Sequence, residues 1–155
     1  MRISLQTASF DPGALLNELH ADYRGTGAVV GFVGYVRDFN DGDPVSGMWL
    51  EHYPGMTEKA LADIVEQAQA RWLLHEVHVL HRVGQLEPGE PIVFVGVASA
   101  HRQAAFEANT FIMDYLKTRA PFWKRESTPQ GERWVDAKHS DEQALSRWQS
   151  PGESS

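Results

Sequence analysis

Ile92-Val-Phe-Val-Gly-Val-Ala98, followed by Ser99-Ala-His-Arg102, is the stretch from which the rest of the chain can be ordered. A continuous apolar run rich in β-branched residues is the mark of a strand buried on both faces. Ser99 can cap a helix, and Ala105, Ala108, Ile112 and Leu116 recur at the spacing of one buried helical stripe. The spacing predicts a helix from about His101 to Thr118. Pro121 stops it and pushes Ala120 into an extended conformation. A central strand with a long helix returning over it requires a layered sheet-and-helix domain.

The flanking sequence fills in that plan. Arg2 to Ser9 reads as a first strand, and Asp11-Pro12 starts a short helix carrying Leu15, Leu16 and Leu19. Gly27 to Arg37 is a second strand apolar on both faces, with Gly31 and Gly34 marking a bulge or a close backbone approach. Asp38 to Pro44 is a polar loop, and Val45 to Tyr53 resumes as a strand expected to form a hairpin with the second. Pro54-Gly55 ends it. Thr57 is read as the cap of a helix to about Trp72, with Ala60, Leu61, Ile64, Val65, Ala68 and Trp72 on its apolar face. Val77, Val79 and Val83 alternate along another strand that Gly84 closes, and Glu87-Pro-Gly-Glu90 is a turn. Phe122 to Thr128 and Arg133 to Ala137 are short strands about Pro129-Gln-Gly131. Two long helices alternating with hairpins argue for an α+β or mixed α/β sandwich, with mixed and antiparallel sheets packed by those helices. Residues 1–138 read as one domain, 139–155 as a polar segment, and Ser150 to Ser155 as a disordered tail.

Composition narrows the function. The chain has 155 residues, 42% hydrophobic and 23% charged, which is ordinary for one globular domain. No apolar run is long enough for a membrane span, and the N-terminus lacks a secretory core, so the expected location is the cytoplasm. There are no cysteines, which excludes thiolate metal sites and thiol nucleophiles. His78 and His81 point to opposite faces of their strand, so no metal is expected there. The formal net charge is -7, yet residues 102–125 carry five Lys/Arg against two Asp/Glu. An acidic surface disfavours nucleic acid, while a local basic cluster suits a small anion.

Three groups can supply that site. Lys117-Thr-Arg-Ala-Pro-Phe-Trp-Lys-Arg-Glu126 sets Lys117, Arg119, Lys124 and Arg125 around a proline break. Chain reversal at Ala120-Pro121 could turn both lysines toward one pocket. Lysine can act as acid, base or nucleophile when desolvated or beside other cations. His101 and Arg102 sit at a helix N-terminus, where backbone N–H groups favour anions. Arg37 ends the second strand beside the polar loop, placed to grip an anionic group. Each group also has a plain structural reading as a cap, a core segment or a solvated charge, and residue type alone leaves that open.

The ordered motifs resemble the catalytic large subunit of molybdopterin synthase. They are Gly27-Ala-Val-Val, Gly34-Tyr-Val-Arg37, Leu50-Glu-His-Tyr-Pro-Gly-Met56, His81-Arg-Val-Gly84 and Pro88-Gly89. They continue with Val95-Gly-Val-Ala-Ser-Ala-His-Arg102, Phe106-Glu-Ala108, Asp114-Tyr-Leu-Lys117 and Ala120-Pro-Phe-Trp-Lys-Arg-Glu126. The resemblance runs over about residues 27 to 138. It implies an α/β hammerhead-like core with an additional α+β subdomain. It also implies a homodimer that joins a small ubiquitin-like sulfur carrier, ending in a Gly-Gly thiocarboxylate, as a heterotetramer. The implied substrate is cyclic pyranopterin monophosphate, converted to the dithiolene molybdopterin with no cofactor. Two sulfurs require two carriers in turn.

By the same resemblance Lys117 and Lys124 are catalytic. Lys124 would assist proton transfer or stabilise an anionic intermediate, and Lys117 would orient the thiocarboxylate. Arg37, His101 and Arg102 would hold the phosphate and pterin, with Arg125 contributing to the same positive pocket. Met113 would line it, and Glu126 would orient Lys124 or Arg125. Tyr35 stands where some relatives have a basic residue. Lys138 stands where relatives can have an arginine reaching the neighbouring subunit's pocket. Two other classes fit the lysines alone: a Schiff-base enzyme with Lys124 as the amine, or a non-catalytic module binding an anionic tail.

Overall fold

The structure is a computed structural model and describes residues 1–40, 43–135 and 139–149. In chain order its elements are β1 (Arg2–Gln6), α1 (Pro12–Glu18), β2 (Ala28–Tyr35), β3 (Phe39–Asn40), β4 (Asp43–Pro44), β5 (Gly47–His52) and α2 (Met56–Arg71). They continue with β6 (Leu74–Arg82), β7 (Gly84–Leu86), β8 (Pro91–Ser99), α3 (Arg102–Arg119), β9 (Phe122–Thr128), β10 (Gly131–Val135) and α4 (His139–Ser146). The expected α+β architecture is present.

Two four-stranded sheets carry the fold, in the orders β1-β6-β8-β2 and β10-β9-β5-β7. In the first, β8 is the central strand read from its apolar run, buried from Ile92 to Ser99. Its alternation divides the core. Val93, Val95 and Val97 join Val77 and Val79 of β6 against α2 and α3, whereas Phe94 and Ala98 join Leu80 and Leu19 beneath α1. Phe94 and Phe111 are each fully buried, and such a side chain stabilises the fold by about 1.5–3 kcal/mol through its apolar area.

The hairpin expected between β2 and the following strand does not form. β2 pairs antiparallel with β8, and β5 pairs with β7 and β9 in the other sheet. The reason lies in what each strand must bury. β2 continues past its end with Val36, buried, whose N–H donates to Glu90 O and whose carbonyl accepts from Gly89 N–H. These bonds keep the chain on the Glu87–Glu90 turn until the connection to β5 begins. A two-residue ladder, Phe39↔Pro44 and Asn40↔Asp43, lies within the segment read as a loop, of which residues 41–42 are outside the described ones.

Thr57 is not the cap of α2. Gly55 holds that position at φ 85°, a conformation glycine adopts without strain, and Glu58 accepts its N–H at 2.9 Å. Thr57 is buried in the first turn instead. The polar segment after residue 138 contains α4, anchored by Leu145 in the core and by Trp148. The Trp148 ring meets Trp72 and Phe111, and its N–H donates to Asp114 at 2.6 Å. Residues 136–138 and the tail 150–155 lie outside the described ones.

One side chain fixes α3 along the sheet. Asn109, buried at mid-helix, donates to Val95 O of β8 at 2.8 Å and to Val30 O of β2 at 3.1 Å. Asn109→Leu should lower the urea unfolding free energy by about 1–3 kcal/mol, because two buried carbonyl contacts are lost. Equilibrium denaturation of the parent and variant measures it.

Candidate functional site

α3 follows β8 and runs back over it, so the end of the helix returns to the beginning of the strand. At that end of the first sheet lie Tyr35 of β2, Pro91 of β8, and His81 and Arg82 of β6, by the registers Tyr35↔Pro91 and His81↔Val93. Arg37 leaves β2 at the same end and is exposed. Arg82 locks this corner: it is buried, donates to Thr7 O at 2.9 Å, and pairs with Glu90 at 2.9 Å. Hydrogen bonding from Arg82 holds the Glu90 carboxyl below its usual range.

Lys117 occupies the last turn of α3 and is exposed, one turn beyond half-buried Met113 on the same helical face. Ala120 is extended, at φ −79° and ψ 133°, and ends the helix before Pro121 as the sequence required. β9 then carries Phe122, Lys124 and Glu126 on one face, in line with fully buried Leu50 opposite Lys124. Phe122 stacks on His81 at 4.0 Å with an interplanar angle of 21°. This contact joins the second sheet to the first beside the lysines.

His81 reports how near the lysines are. Its imidazole is depressed from 6.5 to about 4, first by burial and then by the positive charges of Lys124 and Lys117. The bond to the Arg82 carbonyl, at 2.8 Å from Nδ1, opposes this and is outweighed. A carbonyl only accepts, so Nδ1 carries the proton and the neutral ring leaves Nε2 as an acceptor. Both lysines therefore bear electrostatically on one buried ring, from the two sides of the Pro121 elbow.

The other predicted residues divide into groups. Glu126 is buried and pairs with Arg133, its cross-strand neighbour, at 3.4 Å. Arg125 points to the opposite face of β9 from Lys124. There its Nε lies 3.4 Å from Glu132 and its guanidinium 5.8 Å from the Trp134 ring. His101 is the N-cap residue of α3 but makes no side-chain cap bond, and both it and Arg102 are exposed. A helix rises about 1.5 Å per residue, so Arg102 and Lys117 stand about 22 Å apart along α3. One copy of the chain does not bring His101 and Arg102 to the lysines. Lys138 lies outside the described residues. Among the described residues no cluster of His, Asp and Glu could hold a metal, and no helix is long and apolar enough to cross a membrane.

The sequence profile of the family described as MoaE protein matches residues 5–119. A molybdopterin synthase catalytic subunit from Pseudomonas aeruginosa is 66% identical over 149 residues, covering 96% of this chain and 99% of the relative. The chain belongs to the MoaE family. Another molybdopterin synthase catalytic subunit, from Escherichia coli, is 67% identical over 122 residues, covering 79% of this chain and 81% of the relative. Among solved structures, the molybdopterin biosynthesis MoaE protein from Burkholderia ambifaria superposes with a TM-score of 0.81. It is 51% identical and covers 95% of this chain and 97% of that one.

Sequence reasoning placed His81 in a family-like motif but gave it no role. Phe122 stacks on its ring, a contact between positions 81 and 122 that periodicity does not reveal. His81 should make the stability of this chain pH-dependent in a defined window. With a folded value near 4 against 6.5 unfolded, the unfolded chain binds the extra proton between those values. Stability is full above 6.5 and falls as pH drops toward 4. Urea titrations across this range should show a loss on the order of 2–3 kcal/mol. His81→Phe, which keeps a ring against Phe122, should flatten much of that slope; an unchanged slope would count against the assignment.

Proposed function

We infer that this chain is the catalytic subunit of a molybdopterin synthase, transferring sulfur to cyclic pyranopterin monophosphate in molybdenum cofactor biosynthesis. The observation that carries the reading is a MoaE-family fold that sets Lys117 and Lys124 on the two sides of the Pro121 elbow. The chain has no cysteine, so it cannot carry the sulfur as its own persulfide. The sulfur comes from a small ubiquitin-like carrier as a C-terminal thiocarboxylate, and two carriers serve each dithiolene. The name "catalytic subunit" borne by the relatives supports a second subunit as partner.

In this reading the lysines are placed where negative charge develops. Lys124 stabilises the anionic intermediate at the attacked carbon or moves its proton, and Lys117 orients the thiocarboxylate. Met113 lines the pocket one turn before Lys117, and Arg37 meets the substrate's anionic group from the end of β2. Buried Glu126 orders the β9 face that carries Lys124. Arg125 acts from the outer face of that sheet, toward the carrier rather than the pterin. The reaction runs in the cytoplasm.

The chain works as a homodimer within a heterotetramer. The length of α3 supports this, because His101 and Arg102 lie about 22 Å from Lys117 in one copy. They complete the anion site of the neighbouring copy.

The test combines purified chain, thiocarboxylated carrier and cyclic pyranopterin monophosphate, with the dithiolene product measured by mass spectrometry. Product should form with two carriers consumed per molecule. Lys124→Ala and Lys117→Ala should each reduce turnover by about a hundredfold or more while carrier binding persists. Turnover unaffected by both substitutions would remove the lysines from the chemistry.

A further inference from the structure

The elbow between the two lysines is held by a side chain that the proposed chemistry does not use. Thr57 is fully buried in the first turn of α2. Its hydroxyl donates to Pro121 O at 3.0 Å and accepts from the Tyr53 backbone N–H at 2.9 Å. Those two backbone groups follow the ends of neighbouring strands. In the β5–β9 ladder His52 stands opposite Phe122, so Tyr53 and Pro121 would form the next antiparallel pair. The ladder stops there, and the Thr57 hydroxyl sits between the N–H and the C=O. A hydroxyl suits this place because it accepts and donates at one atom.

The geometry on the far side of Pro121 is also fixed. Phe122 N–H bonds back to Ala120 O at 2.9 Å, closing a three-residue turn centred on Pro121. Phe122 then stacks on His81. Lys117 precedes this elbow by one helical turn, and Lys124 follows it on β9. A swing of the backbone at Pro121 would move the two ammonium groups relative to each other.

We propose that Thr57 is a positioning residue for the lysine pair: its buried hydroxyl relays one more rung of the β5–β9 ladder to the Pro121 elbow and so sets the relation of Lys117 to Lys124. This rests on the sulfur-transfer reading above. Thr57 touches neither substrate nor carrier and acts through the backbone alone. The relay therefore governs the rate of the chemical step more than the affinity for either ligand.

Thr57→Val keeps the shape and removes the hydroxyl; Thr57→Ser keeps the hydroxyl and removes the methyl. The assay uses the full chain with thiocarboxylated carrier and cyclic pyranopterin monophosphate. Thr57→Val is expected to lower kcat about ten- to a hundredfold, with KM for both partners within about threefold of the parent. Thr57→Ser is expected to recover kcat to within about threefold of the parent. A folded Thr57→Val protein with parental kcat overturns the proposal. So does a Thr57→Ser protein as slow as Thr57→Val, since packing would then be the cause. A parent that makes no dithiolene at all sinks the sulfur-transfer reading itself, whereas an active parent with an indifferent Thr57 sinks only the relay. Should Thr57→Val not fold, hydrogen exchange decides in the parent. Protection of the Tyr53 amide well above that of Gly55, with an active Thr57→Ser protein, supports the relay; exchange of Tyr53 at the rate of an open loop overturns it.

Discussion

The Asn109 side chain, bonded to carbonyls of both β2 and β8, is the constraint on which the rest of the molecule depends. It fixes α3 lengthwise over the first sheet at its midpoint. Everything functional at the two ends of the helix follows from that registration. Lys117 is delivered to the corner where β2, β6 and β8 end or begin, and His101 and Arg102 to the opposite edge. An asparagine can do this because its amide offers two donors in a fixed plane. A hydrophobic residue would bury as well but would leave the helix free to slide.

At the lysine corner the second sheet does two things. It supplies Lys124 from β9, and it closes over His81 through Phe122. The outcome is a buried neutral histidine beside two cations, with Arg82 and Glu90 pinning the corner from below. Such a surface attracts anions without a metal ligand cluster among the described residues. The absence of cysteine fits the proposed reaction: this chain has no thiol on which to carry the sulfur, which must come from outside it.

Much of this was legible in the sequence. The β8 run, the α3 stripe and the proline stop are local signals, and the structure has them where the residues require. The basic segment carries both lysines, whose part in the chemistry is the proposal above. What was not legible is long-range. The pairing of β2 with β8 rather than β5 is a long-range choice that the order of the strands in the chain does not reveal. Thr57 has the residue type of a helix cap, yet its hydroxyl is used by Pro121, sixty-four positions away. Arg125 sits beside Lys124 in sequence but points to the other side of β9, because strand neighbours alternate. His101 and Arg102 seem to belong with Lys117 until the length of the helix between them is considered.

That length underlies the proposal that a second copy of the chain completes the site. The direct measurement is complementation between two impaired chains, Lys124→Ala and Arg102→Ala, assayed separately and after co-expression. Random pairing leaves half the dimers mixed, each with one intact site. The account predicts that the mixture regains about a quarter of parental sulfur transfer while each variant alone stays low. A mixture no more active than its two components would contradict it, and would place His101 and Arg102 outside the lysine site altogether.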